Sequence, residues 1–248
     1  MEKIRVQKFL SDAGFCSRRA AENLIFQQKI LVDGKIVEIG DKIFGSEKIS
    51  IDGKIFVPQK IPKIVLAFHK PRGVESTCAK IRGQKTLVNF DFAVKIRGKI
   101  WRPRFFPIGR LDKNSRGLLF LTNDGALGNF LCHPKFSHKK KYFVETDREI
   151  SEKILEKFRA GKIILREKTG QKKIRKCECG KISAKKFWII LREGRNRQIR
   201  KMCRSCGLEV VDLCREKIGN FSLKNLPAGS FRILSRAEIA NLRENFAK

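Results

Sequence analysis

One carboxylate stands in a cationic neighbourhood. In FPIGRLDKNSRGLLFLTNDG, Phe106 to Gly125, Asp112 follows Arg110-Leu111 and precedes Lys113. Adjacent opposite charges are common, and as a surface ion pair they add little stability. The frame around this one points to more. Pro107-Ile108-Gly109 before it and Gly117 after it mark a loop that runs into an apolar strand. Strand-end loops are where rigid scaffolds hold reactive groups. A second candidate is Tyr142. The chain uses Phe 19 times and Tyr once, so space is filled with Phe and the lone phenol is there for its hydroxyl. The third candidate is EGRNRQIR, Glu193 to Arg200, which offers guanidinium groups able to pair with a buried carboxylate. Arginine keeps its charge when desolvated and forks onto carboxylates, which lysine does less well. Together these residues suggest an ionised acid held by arginine beneath an aromatic ring. A flat ring beside a carboxylate suits an extruded base stacked on its face. Glycoside hydrolysis normally needs two carboxylates, and no second acid has an equally special setting. A single acid better suits a reaction that breaks and remakes a bond without consuming water.

The rest of the chain must position that acid and bring a nucleic acid to it. Its 248 residues carry 56 Lys and Arg against 25 Asp and Glu, a net charge of +31. Such a surface gains affinity by releasing counterions from phosphates. No apolar run is long enough for a spanning helix, and MEKIRVQKFL lacks the apolar core of a secretory leader. The eight Cys (16, 78, 132, 177, 179, 203, 206 and 214) are irregularly spaced, which fits a reducing cytoplasm rather than a disulfide framework.

The first segment reads helix, helix, hairpin. Val6, Phe9, Leu10 and Ala13 share one helical stripe closed by Gly14. Ser17 caps a second helix, Arg18 to Gln28, with Ala21, Leu24, Ile25 and Gln28 along one face. Asp33-Gly34 within ILVDGKIV predicts a two-residue hairpin, and IDGKIF at Ile51 to Phe56 predicts a second strand pair. Lys8, Arg18, Arg19, Lys29 and Lys35 decorate this small unit as RNA-binding candidates; two arginines opening a helix suit phosphate. VPQKIPK, Val57 to Lys63, reads as a linker, which sets an N-terminal domain at 1–60 and a second at 61–248.

Beyond the linker, IVLAFHKP reads as a buried strand ended by Pro71. Thr77 to Arg104 holds many charges and glycines and reads as including loops. Gly117 to Thr122 is a strand with Asn123-Asp124-Gly125 as its turn, and Lys141 to Thr146 is another. Ser151 caps a helix to about Ala160, with Ile154, Leu155 and Phe158 inward. Lys168 to Lys186, with CECG at its centre, reads as weakly structured. Lys186 to Glu193 is a strong strand. Gly194-Arg195-Asn196 turns it into a helix over Arg197 to Cys206, with Ile199, Met202, Cys203 and Cys206 on one face. Arg197, Arg200, Lys201 and Arg204 form the other, a cationic face suited to a nucleic-acid grip.

Three other chemistries compete. Cys177, Cys179, Cys203 and Cys206 could share zinc, although Cys-x-Cys matches the usual knuckle spacing poorly. Asp112, Asp124 and Glu193 could serve a two-metal nuclease, but a turn role suffices for Asp124. An RNA-binding assembly factor without catalysis would need the grip and not the acid.

GRLDKNSRGLLFLTNDG closely resembles the active-site motif of the bacterial RsuA/RluB/RluF-type rRNA pseudouridine synthases. KPRG at Lys70 to Gly73, HPKFSHKKKYFV at His133 to Val144 and LREGRNRQIRKM at Leu191 to Met202 match that family's other motifs in the same order. The first 50 residues resemble the alpha-L RNA-binding module shared with ribosomal protein S-four. The resemblance implies an α+β chain: that small module, followed by a pseudouridine synthase catalytic domain with a mixed, mainly antiparallel sheet and flanking helices. It implies that Asp112 lets a uridine detach at N1, turn and rejoin through C5, either as nucleophile or by assisting glycal formation. Tyr142 would stack on the base and take part in proton transfer, and Arg200 would pair with Asp112. Arg110, Leu191, Arg195, Asn196 and Arg197 would bind the flipped nucleotide. It further implies no metal or organic cofactor, while the lack of a large uncharged patch in the sequence favours a monomer. The implied partner is ribosomal RNA, with 23S favoured and 16S the alternative. Lys80 to Arg104, long and basic, and the CECG stretch depart from the familiar pattern and bear on which RNA helix is recognised.

Overall fold

The computed structural model describes residues 2–133, 138–167 and 170–247. Residues 134–137 of the His133–Val144 motif, and 168–169 at the start of the CECG region, lie outside the described residues. The chain divides into two compact units.

The first unit comprises 1–64, 92–105 and 123–125. Helix α1 (Val6–Asp12) buries Val6 and Leu10, and Gly14 follows its C-cap Ala13 with a φ of +80°. Helix α2 (Arg18–Phe26) is capped as expected: the Ser17 hydroxyl accepts from the Ala20 amide at 3.0 Å. It buries Ala21 and Ile25 but stops earlier than its apolar stripe suggested. Gln28 is exposed with a φ of +56°, because the chain must reverse there to enter the strand at Ile30. Both Asp-Gly pairs form hairpin turns with positive φ at each central residue, the geometry that matches strand twist. The resulting strands, Ile30–Val32, Lys35–Ile36, Ile49–Ile51 and Lys54–Phe56, make one four-stranded antiparallel sheet. Its Ile30, Ile49 and Ile51 pack with Val6, Leu10, Ala21 and Ile25 into one core. Within the charge- and glycine-rich Thr77–Arg104 region lies a hairpin, Val94–Ile96 with Lys99–Trp101.

The second unit comprises 65–91, 106–122 and 126–248. Its sheet runs in the order Glu178–Ser183, Lys186–Leu191, Lys140–Thr146, Val210–Ile218, Arg116–Thr122, Val65–Lys70, Phe231–Ile233. Along this order only the Arg116–Thr122 and Val210–Ile218 neighbours are parallel, so the sheet is mixed and mainly antiparallel. The Val65–Lys70 strand is buried at every position, as its near-continuous apolar run requires. Leu118, Phe120, Val65 and Ala67 pack against Leu127, Leu131 and Leu242 from α3 (Gly125–Cys132) and from the C-terminal helix (Arg236–Ala247). Each such side chain contributes roughly 1.5–3 kcal/mol of transfer free energy.

Helix α3 is a correction. Asn123-Asp124-Gly125 reads as the turn after the strand with no element assigned beyond it, yet a helix starts at Gly125, because Leu127 and Leu131, four residues apart, need a core partner. A second correction concerns the CECG region. Gly170–Lys173 pairs with Ile164–Glu167, and Glu178–Ser183 is an edge strand against Lys186–Leu191. Its cysteines lie against the end of the helix Glu152–Arg159, as further partners for carbonyls there. The Cys177 thiol donates to Phe158 O at 3.3 Å and the Cys179 thiol to Leu155 O at 3.5 Å.

Candidate active site

Gly117 fixes the base of the site. It lies in the parallel register opposite Arg215, with a φ of +114°. A Cβ there would stand 2.3 Å from the Arg215 carbonyl oxygen, so only glycine lets the two strands approach. Immediately before this strand the chain makes the loop that carries Asp112.

That loop is held by its backbone oxygens, one after another. Arg110 O accepts from Arg215 Nη1 at 3.3 Å. Leu111 O accepts from the Ser76 hydroxyl at 2.8 Å, and Leu111 N lies 3.1 Å from the same oxygen. Asp112 O accepts from Ser115 N at 3.0 Å. Lys113 O accepts from Gly73 N at 2.8 Å and from Lys70 Nζ at 3.4 Å. Asn114 O accepts from Arg200 Nη2 at 2.7 Å. Five consecutive carbonyls are therefore engaged, and the one acidic side chain projects from a braced loop.

The supporting cations are themselves buried. Lys70 has no accessible surface; its ammonium also donates to Pro71 O at 2.8 Å and Val74 O at 2.7 Å. Burial pulls its pKa down to about 8, opposed by Glu75 and Asp112. Arg215 is 4% exposed and donates through Nε to Leu118 O at 2.8 Å. A buried charge is costly unless hydrogen-bonded, and backbone oxygens meet that need here without neutralising the cation.

A cavity of about 590 Å³ opens in front of the loop. Arg110, Asp112, Tyr142, Leu191 and the Arg195–Arg197 turn all line it. Asp112 is half-buried, and among the described residues no hydrogen bond or ion pair engages its carboxylate. Tyr142, 9% exposed, reaches the cavity from the Lys140–Thr146 strand and lies in register with Arg215. Leu191 ends the neighbouring strand and is buried. Lys140 also lines the cavity; burial, reinforced by Arg215, lowers its pKa to about 8.

The turn after Leu191 is stapled by Glu193. Arg195 Nε donates to one carboxylate oxygen at 3.1 Å, and the Gln198 side-chain amide donates to the other. Arg195 also donates to Lys173 O at 3.0 Å. Asn196 and Arg197 remain exposed, and Arg197 takes a φ of +53° as the N-cap of the helix Gln198–Arg204. Ile199, Met202 and Cys203 bury one face of that helix, while Arg200 is half-buried rather than solvent-facing.

The expected pair between Arg200 and Asp112 is not formed. Arg200 Nη1 donates to Val210 O at 2.9 Å and Nη2 to Asn114 O, so its fork is committed to backbone, and Arg200 is not part of the cavity wall. Its link to the acid's loop is the bond to Asn114 O. Lys8, Arg18, Arg19, Lys29 and Lys35 are all exposed on the first unit; Lys29 lies 3.7 Å from Asp52, also exposed. Among the described residues no group of three or more His, Cys, Asp and Glu side chains is placed to hold a metal.

Four contributors escaped the sequence reading: Lys70, Ser76, Lys140 and Arg215. A lysine ending an otherwise apolar buried strand was a legible signal for Lys70. Arg215 sits in an alternating strand, VVDLCREKI, where nothing local marks it as buried.

The chain matches the family model for RNA pseudouridylate synthase over residues 64–205 and the S4 domain over residues 4–47. It is 37% identical over 239 residues to the dual-specificity RNA pseudouridine synthase RluF of Salmonella typhi, covering 96% of this chain and 78% of that one. It is 36% identical over 244 residues to the ribosomal large subunit pseudouridine synthase B of Bacillus subtilis, covering 96% and 95%. A crystal structure of a pseudouridylate synthase superposes with a TM-score of 0.65 at 25% identity, over 96% of this chain and 99% of that one. An S4 domain joined to a synthase sheet, over nearly the full length of such relatives, settles the kinship: this chain belongs to the RNA pseudouridylate synthase family, within its RsuA/RluB/RluF-type group, and is an isomerase.

Proposed function

We propose that the protein converts a specific uridine of large-subunit 23S rRNA to pseudouridine, with Asp112 as the catalytic carboxylate. The target class follows the relatives, one of which is named for the large ribosomal subunit. The observation that carries the site is that Asp112 and Tyr142 open on one cavity whose size suits a single extruded nucleotide. Asp112 meets the ribose side of the glycosidic bond. Its carboxylate either attacks the sugar or draws off a proton as the base leaves from N1; the base turns and rejoins through C5, and no water is consumed. Tyr142 stacks on the base and helps move the proton released from C5. Leu191 packs against the ring, while Arg110 and the Arg195, Asn196 and Arg197 turn hold the nucleotide's backbone.

On this reading residues 1–60 bind RNA through Lys8, Arg18, Arg19, Lys29 and Lys35, and 61–248 carry catalysis. The protein works as a monomer on cytoplasmic rRNA or its precursor particle, without a cofactor.

Chemical mapping of pseudouridine in rRNA from cells with and without the protein tests this directly. One 23S position should lose its label, and the wild-type gene should restore it. Asp112→Asn should not restore it, because charge is lost while shape is kept; turnover should fall on the order of 10³-fold or more. An Asn variant that modifies RNA at the normal rate removes Asp112 from the mechanism, and a label lost only from 16S rRNA moves the target to the small subunit.

A further inference from the structure

The hairpin Val94–Ile96/Lys99–Trp101 serves none of the roles above, and its chemistry is one-sided. From Phe92 to Leu111 there are twenty residues without an acid, in a chain with 25 acids in 248. The same stretch holds Lys95, Arg97, Lys99, Arg102, Arg104 and Arg110.

The base of the hairpin is fixed. Val94, Pro103 and Phe105 are buried, and Phe92 packs edge-on against Phe105 at 6.1 Å. The tip is not. Lys95, Arg97, Gly98, Lys99 and Ile100 are all exposed, and Arg97 and Gly98 make the turn with φ of +49° and +79°. The two strands pair only with each other. An isolated two-stranded ribbon is marginal in water, and like charges crowded on it repel. Apart from the contact Lys99 makes with Trp101, three cations within five residues at such a tip gain most when an anion arrives.

We infer that this ribbon is an RNA-backbone grip, with Lys95, Arg97 and Lys99 contacting phosphates. The inference rests on the proposed rRNA substrate. The ligand is phosphate rather than base: the one large ring on the ribbon, Trp101, is already covered by the Lys99 ammonium at 4.3 Å from its centroid. That contact also holds Lys99 along the ribbon instead of leaving it to wander. A phosphate grip carries no base readout, so it sets affinity and not the choice of uridine.

The test is the combined variant Lys95→Gln/Arg97→Gln/Lys99→Gln in the full chain, titrated against a 23S rRNA transcript at several salt concentrations. Three lost phosphate contacts should lower the slope of log affinity against log salt by about 2–3 and weaken binding about tenfold or more near 0.1 M salt. Turnover at saturating transcript should stay at the wild-type value. The melting temperature should hold or rise, since repulsion is relieved. A variant with wild-type affinity and slope overturns the inference; so does a fall in saturated turnover, which would put the ribbon in the chemistry. Should the variant melt early, formaldehyde crosslinking of the wild-type complex decides. Capture of Lys95 or Lys99 on RNA supports the grip, and crosslinks confined to other lysines reject it. Wild-type protein that binds but does not modify 23S transcript would sink the functional reading while leaving the grip standing.

Discussion

Arg200 commits its guanidinium to the carbonyls of Asn114 and Val210, and Ser76 holds both polar atoms of Leu111. Neither touches the cavity in front of Asp112, so on the proposed mechanism both would be positioning residues. Ser76→Ala leaves a buried N–H and a buried C=O without that partner, at about 1–3 kcal/mol for each group. We expect it to lower kcat by more than it raises KM, with Ser76→Thr recovering much of the loss; equal changes in both constants would count against positioning. Tyr142→Phe keeps the stacking ring and removes the phenol, so it should slow turnover at least about tenfold while RNA affinity stays near wild type. Equal losses in rate and affinity would assign the hydroxyl to binding. Lys140 yields a pH prediction. Its folded pKa lies near 8 against 10.5 for a free lysine, because burial disfavours the ammonium. Below pH 8 the folded state therefore bears an unfavourable charge, and between about 8 and 10.5 the unfolded chain binds a proton that the folded one does not. Lys140→Met should raise the melting temperature at pH 7, and the gain should shrink as pH climbs through 8 to 10. A gain that grows with pH would refute the assignment.

At the scale of elements, local chemistry made much of the chain readable. Ser17, the two Asp-Gly turns, the apolar start of the Val65–Lys70 strand and the inward Leu155 and Phe158 were fixed by rules that act within a few residues. The misses share a physical cause. Gly125–Cys132 has a short apolar spacing that becomes a helix only against the core of the second unit. Glu178–Ser183 is exposed at most positions and gains strand form from its neighbour Lys186–Leu191. The sequence singles out Asp112 by the loop signals around it and Tyr142 as the lone tyrosine, and both line the cavity; nothing local marks Arg215 and Ser76, because their partners lie about 100 and 35 residues away. Gly117→Ala tests the tightest point of the framework. A methyl 2.3 Å from Arg215 O at a φ of +114° should destabilise the protein by about 2–4 kcal/mol, readable in a urea titration. A loss under about 0.5 kcal/mol would mean that the parallel pair can spread without penalty.

Across the whole molecule, a net charge of +31 draws the protein to any polyanion, so selectivity has to come from geometry. The exposed Lys8, Arg18 and Arg19 of the S4 domain should act through charge alone. Changing all three to Gln should weaken 23S binding and flatten its salt dependence by about 2–3, with kcat at saturating RNA retained; an unchanged slope would exclude that face from the interface. The engaged carbonyls from Arg110 to Asn114 have a kinetic corollary. A loop moored at every peptide has almost no hinge, so the acid cannot travel toward its target without several moorings slipping at once. If Asp112 is the catalytic acid proposed above, the nucleotide makes the whole journey, and the rate should track how easily the target uridine leaves its helix.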